Sequence, residues 1–495
     1  MKLRIPVPGW LTAAGTRFMP FADAASPELP MARLLRLSLF QVVIGMVTAL
    51  LVGTLNRIMI VELQVPAWWV ALAVAIPMVF APLRTLIGYR SDTYPSALGL
   101  RRIPYMWTGT LLLFGGLSIM PFALLLLSEP EATNLWVGQI GACLAFVLVG
   151  AGIQITQTAG MALANDLASD DKRPRVVALL YSMLLVGMIV SSAVFGLVLT
   201  DFSPQKLIQL LQGCAVMVAV MILASLWKQE ARGAKRGRRE AGGFASSWRE
   251  LIAQPQMRRF LWTLALGTFA FNMQDIVLEP YAADVLKLDV GATSALTALS
   301  AGGALVAFLL SARWLSGGLS TYRLASLGLL LGLPAFALVI FSGPLEAAWM
   351  FRSGVGLIGF SGGLFSVGML VTGMGMAQGG SPLGHLGGLV MGTWGAVQAT
   401  SAGAAVALGG AVRDGVSVLA MSGQLGEVLV TPITAYSFVY HLEMYLLFVV
   451  LVALGPMLRA SRLAARSAST QPTQPTQPTQ PTQPTQPFGL EQLPS

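Results

Sequence analysis

Twelve stretches of this chain stay apolar for roughly 20 residues or more, enough to cross about 30 Å of bilayer hydrocarbon at about 1.5 Å per residue. They lie near 37–62, 67–88, 104–127, 135–163, 175–200, 206–227, 260–283, 292–315, 321–342, 346–377, 383–412 and 435–457. Such a chain has few folds open to it. In hydrocarbon each backbone N–H and C=O needs a partner within the protein, and helices supply one locally. An all-α membrane protein is expected. Only 11% of the residues are charged and 55% are hydrophobic, against roughly 25% charged in soluble domains. The 53 glycines suit helices whose backbones approach closely. The segments 346–377 and 383–412 are long and glycine-rich, which predicts tilt or local irregularity.

The net charge of +9 does not point to nucleic acid. Lys2, Arg4, Arg17, Arg33, Arg36, Arg90, Arg101, Arg102, Lys172, Arg173, Arg175, Arg313, Arg323, Arg459, Arg462, Arg466 and the cluster from Lys228 to Arg259 all fall on one side. Lys206, Lys287 and Arg413 fall on the other. Basic loops mark the cytoplasmic face, so both termini of a multi-pass protein are expected there. An odd number of crossings would scatter the basic loops onto both faces.

The expected organisation is an arm (1–32), a six-helix bundle (33–227), a basic linker (228–259), a second six-helix bundle (260–458) and a Thr-Gln-Pro-rich tail (459–495). The arm has no apolar core of the ~7–15 residues a signal peptide needs; it reads either as a simple disordered arm or as one whose Trp10, Phe18 and Phe21 rest on the membrane surface. The linker is a solvated connector or a ligand for anionic headgroups. The tail's proline at every third position excludes helix. Cys143 and Cys214 both sit in apolar runs and form no zinc or disulfide pattern.

Two spans end in similar polar, charged stretches. The first ends Asn56-Arg57-Ile-Met-Ile-Val-Glu62, and the seventh reads Phe271-Asn272-Met-Gln274-Asp275-Ile-Val-Leu-Glu279. Charges at membrane depth usually face a bundle interior or wet cavity. Leu63-Gln-Val-Pro-Ala67 after one run and Leu288-Asp-Val-Gly-Ala292 after the other strengthen the likeness. Weak symmetry between halves marks many secondary transporters. Asp275 and Glu279, four apart, share a helix face if the helix reaches that far.

The loop Gly88-Tyr-Arg-Ser-Asp92-Thr-Tyr-Pro-Ser-Ala-Leu-Gly99-Leu-Arg101-Arg102 resembles the major-facilitator loop signature. There the aspartate sits near a helix N-terminus and pairs with basic residues to lock one conformation; a helix N-terminus favours an anion. The spacing from Asp92 to Arg101 is longer than the general pattern. The corresponding loop from Arg313 to Arg323 has no aspartate, so any lock is one-sided.

With Pro20-Phe-Ala-Asp-Ala-Ala-Ser-Pro-Glu-Leu-Pro30, Gly53-Thr-Leu-Asn-Arg-Ile-Met-Ile-Val-Glu-Leu63, Arg90-Ser-Asp-Thr-Tyr94, Phe271 to Tyr281 and Gly392-Thr-Trp-Gly-Ala-Val-Gln398, the chain resembles the bacteriochlorophyll delivery (PucC/LhaA-type) family. These are light-harvesting complex assembly proteins of purple phototrophic bacteria. The resemblance runs from about Pro20 to Arg459. It implies a twelve-helix major-facilitator-type fold of two pseudo-symmetric six-helix halves. It also implies a role in building antenna complexes by supplying pigment or chaperoning antenna polypeptides; its partners would be the bilayer, antenna polypeptides and bacteriochlorophyll.

In that superfamily helices 1, 4, 7 and 10 line a central cavity. The candidate cavity residues are therefore Asn56, Arg57 and Glu62; Gln154 and Gln157; Asn272, Gln274, Asp275 and Glu279; and Arg352. Arg57 and Arg352 are expected to neutralise Glu62, Asp275 or Glu279, either as a site or as a clamp between the halves. The chain has two histidines, His385 and His441, so a permanent antenna is a poor reading. A transient bacteriochlorophyll is the cofactor implied, its magnesium able to take a carboxylate oxygen of Glu62 or Glu279. No hydrolase triad, P-loop or redox motif is present, and no enzymatic activity is expected. The rival readings are a proton- or ion-coupled transporter using Asp275 or Glu279, and a scaffold with no ligand.

Overall fold

The structure, a computed structural model, describes residues 29–79, 81, 100, 102–128, 135–169, 172–230, 244–377 and 381–470. Among these residues every regular element is helical. The first crossing is α1 (Met31–Thr48), continued by π-helical turns at Ala49–Leu55 and Ile58–Glu62. Then come α2 (Ala67–Val79), α3 (Ile103–Ser128), α4 (Leu135–Leu167), α5 (Arg173–Val198) and α6 (Pro204–Leu226). A short α7 (Phe244–Ala253) leads into the seventh crossing, made of α8 (Pro255–Asn272), a 3-10 turn (Met273–Ile276) and α9 (Leu278–Asp284). The rest are α10 (Val290–Ser316), α11 (Thr321–Ser342), α12 (Ala348–Met376), α13 (Gly387–Met421) and α14 (Pro432–Thr470).

Eleven spans among the described residues are long and apolar enough to cross a membrane. The second expected crossing is α2, followed here only as far as Val79. Helix ends are set by chemistry that hydropathy does not report. Pro204 and Pro255 open α6 and α8 in the first turn, where no N–H is missed. Ser203 accepts the Lys206 N–H and Asp289 the Ala292 N–H, capping α6 and α10.

Several boundaries differ from the hydropathic ones. The seventh crossing starts at Pro255 rather than 260, and α14 runs on to Thr470 rather than stopping at 457. Charged residues end an apolar run but not a backbone ladder, so helices continue into water. Part of the expected linker and part of the expected tail are thus helical. The arm through residue 28, most of the linker and residues 471–495 lie outside the described residues.

The halves repeat each other. The third crossing packs along the fourth and sixth, as the ninth packs along the tenth and twelfth. Between the halves, α5 runs along α10 and α2 along α13. The first of these contacts is close at one end: a Cβ at Gly196 would come within 3.0 Å of the Gly291 carbonyl. Exposed Trp107, Trp227 and Trp262 lie toward the end of the bundle where α1 starts, and exposed Trp68, Trp136 and Trp349 toward the other. Tryptophan favours membrane–water boundaries, so these rings frame the lipid-facing band. The end holding the start of α1 and the close of α14 is called the terminal end below, its opposite the far end.

Candidate functional site

The site is assembled from two irregular helices that meet between the halves. In α1 the π-helical turn Ile58–Glu62 alters which residues face each other. A π-turn brings residues five apart together, and Arg57 Nη1 meets Glu62 Oε1 at 2.6 Å. Arg57 is almost fully buried and Glu62 half-exposed, so one end of the pair reaches water. A buried charge without such a partner is costly. The expected neutralisation of Glu62 by Arg57 is therefore seen.

The seventh crossing breaks for a local reason. Pro280 has no N–H to give the carbonyl four residues back, and its ring crowds that carbonyl. The Asn272 amide donates to the Thr268 carbonyl, a side-chain bond that competes with the ladder. Between them lies the 3-10 turn. The orphaned Ile276 carbonyl accepts instead from Asn56 Nδ2 at 2.9 Å, and the Asp275 carbonyl from the same atom at 3.2 Å. Asn56 is fully buried; it supplies from the other half the donor that proline cannot.

The break corrects one expectation. Asp275 and Glu279 do not share one continuous helical face, because the 3-10 turn separates them. Asp275 accepts from Gln274 Nε2 at 3.0 Å. Glu279, 1% exposed, accepts from Thr297 of α10 through Oε1. Gly53, in the π-helical turn Ala49–Leu55, lies against that carboxylate: a Cβ there would come within 2.6 Å of Glu279 Oε1 and 2.7 Å of Thr297 Oγ1. The Arg57 charge also acts on Glu279.

Glu443 of α14 was not among the expected site residues. It is fully buried, and its Oε1 accepts the Gln274 N–H at 2.6 Å. The signal was a lone carboxylate in the first half of the last span.

Toward the far end the network continues. Arg413 lies 3.5 Å from Asp284 and 2.7 Å from Asp414, and donates to the Tyr436 hydroxyl at 2.8 Å. Tyr436 in turn donates to Asp284 at 2.6 Å. Asp414 Oδ2 accepts the Trp68 N–H at 2.7 Å, which ties α13 to the first turn of α2 across the halves. Tyr281 packs between these groups and the break, with Tyr436 and Tyr440 edge-on and Phe351 stacked on it.

Not all expected residues gather here. Arg352 is exposed near the start of α12 and neutralises neither Asp275 nor Glu279, which corrects that pairing. Gln154 is buried on α4 with Oε1 lacking a partner, and Gln157 is half-buried one turn on. The contacts just described run through the first crossing, α2, α8–α9, α10, α13 and α14, whereas Gln154 and Gln157 stand on α4. His441 Nδ1 lies 2.7 Å from the Ser437 carbonyl; the His385 side chain lies outside the described residues. Gly88, Asp92, Gly99 and Arg101 of the lock loop also lie outside them. Arg102 is described: it is buried, with Nε 3.0 Å from Asp166 Oδ2 of α4. The Glu230 carboxylate accepts the N–H groups of Arg102 and Ile103, capping α3.

Paired six-helix halves with a broken crossing and buried charges at their junction define a major-facilitator-type membrane protein. The nucleoside transporter NupG has the same fold, with a TM-score of 0.59 at 14% identity, covering 86% of this chain and 99% of that one. Residues 54–462 match the family model described as PUCC protein. The chain belongs to the PUCC family. It is 50% identical over 416 residues to Protein PucC of Rhodovulum sulfidophilum, covering 82% of this chain and 90% of that relative. To Protein PucC of Rhodobacter capsulatus it is 46% identical over 452 residues, covering 90% and 96%.

Proposed function

We propose that this protein is an inner-membrane assembly factor for light-harvesting complexes that handles bacteriochlorophyll, antenna polypeptides or both, without catalysing a reaction. Family membership over residues 54–462 carries this reading. The structure supports it in one respect: the halves are joined by a few polar contacts. Asn56 is held by the seventh crossing, and Asp414 by the first turn of α2. Such a junction suits a protein that changes the relation of its halves to take up and release an apolar cargo. The basic residues lie at the terminal end, which we assign to the cytoplasm.

Deleting the gene in a phototrophic host tests the role. Antenna content should fall while bacteriochlorophyll is still made, and the purified protein should carry antenna polypeptide or pigment absorbance. Normal antenna content in the deletion strain overturns the reading. For orientation, reporter fusions after Ser495 and within 231–243 should both report cytoplasm.

A further inference from the structure

Several buried polar atoms at the break of the seventh crossing have no partner. Among them are Gln274 Oε1, Glu443 Oε2 and the Tyr440 hydroxyl. All three residues are deeply buried, with Gln274 4% and Glu443 0% exposed. They belong to one cluster. Gln274 donates its backbone N–H to Glu443 Oε1 at 2.6 Å and its amide to Asp275 Oδ1 at 3.0 Å. Tyr440 is three residues before Glu443 on α14, so the two share a face of that helix.

The cluster is rich in oxygen and poor in cations. Among the described residues neither Asp275 nor Glu443 has an ion pair. Arg57 is bound to Glu62 and acts on Glu279. The carbonyl end of α8 adds partial negative charge at the same place. On the α13 side the wall is backbone: a Cβ at Gly409 would come within 2.6 Å of the Met273 carbonyl. Buried acceptors left unmatched in this way call for a missing ion or water, and oxygen donors suit a hard cation. Among the described residues no three Asp, Glu, His or Cys side chains converge to hold a metal ion; the donors here are two carboxylates, an amide and a phenol, short of the oxygen set that calcium takes.

We propose that Glu443, Gln274, Asp275 and Tyr440 form a site for a small monovalent cation, a sodium ion or a proton. Its occupancy joins α14 to the broken crossing, whose next carbonyl holds Asn56 of the other half. Among the described residues the titratable groups nearest the site are Asp275, joined to Glu443 through Gln274, and Tyr440 on the same helix; Tyr281 packs edge-on against Tyr440 and Tyr436. Arg57 stands beyond Glu279, and Phe336 of α11 packs against Tyr440. The site is independent of the assembly role, and ion binding by purified protein leaves antenna content untouched.

The test is thermal unfolding of the full chain in phosphatidylethanolamine–phosphatidylglycerol nanodiscs. One arm replaces choline chloride by NaCl at fixed pH and ionic strength; the other varies pH in choline chloride alone. A sodium site raises Tm saturably, by about 2 °C or more. A proton site leaves Tm blind to sodium, and stability declines as pH rises and the proton departs. Glu443→Gln, which keeps an acceptor for the Gln274 N–H, should abolish whichever response is seen, and Asp275→Asn should weaken it. Glu427→Gln, on an exposed loop, should leave it intact. A Tm that follows neither ion, or a response unchanged in both site variants, overturns the proposal.

Discussion

At the scale of single residues, Asn56 and Gly53 carry the junction in opposite ways. Asn56 contributes a donor where one is missing. Asn56→Ala leaves the Ile276 carbonyl buried and unmatched, a loss of about 1–3 kcal/mol, to be read as a lower Tm of purified protein. Gly53 contributes the absence of a side chain. Gly53→Ala drives a methyl into Glu279 Oε1 and Thr297 Oγ1, with an expected cost of about 1–3 kcal/mol. Antenna content in cells carrying that variant should fall with the stability. A Gly53→Ala protein as stable as the parent would mean that α1 and α9 do not meet as closely as described.

At the scale of elements, the break in the seventh crossing is shared between Pro280 and Asn56. Pro280→Ala restores an N–H that competes with Asn56 for the Ile276 carbonyl. The two substitutions should therefore not add. A double-mutant cycle of Asn56→Ala and Pro280→Ala is expected to show a coupling of roughly 0.5–3 kcal/mol; strict additivity in unfolding experiments would separate the two residues. The break was partly legible in advance. Asn272 and Pro280 stand in the sequence, as do the carboxyl groups of Asp275 and Glu279. The i, i+4 spacing nevertheless suggested one smooth face, because periodicity assumes an unbroken helix. Glu443 was hidden for a related reason: its depth depends on where α14 begins, and hydropathy locates that only to within a turn or so. Arg352 was expected inside because its segment lines the cavity by analogy, yet a helix has an outer face too, and only packing chose between them.

At the scale of the molecule, the far end is fastened by Asp414, which joins the Arg413–Asp284–Tyr436 group to the first turn of α2. Removing this carboxylate should loosen that end. In a background lacking Cys143 and Cys214, a cysteine placed at Thr54, now 1% exposed, should react faster with an impermeant maleimide from the far side when Asp414→Ala is added. Equal rates with and without the substitution would show that Asp414 does not hold the halves together.

The apolar runs by themselves determined that the chain is helical, that it crosses a bilayer many times, and that its basic residues gather at one end. These follow from the cost of unpaired backbone groups and charges in hydrocarbon, which acts on each segment separately. Pairing of the charges was another matter. Arg57 met Glu62 through a π-turn, Glu443 met the Gln274 N–H through a helix break, and Asp414 met α2 across the halves. Each partnership depends on helix irregularity or on the approach of segments far apart in the chain. Tertiary packing alone decides those distances.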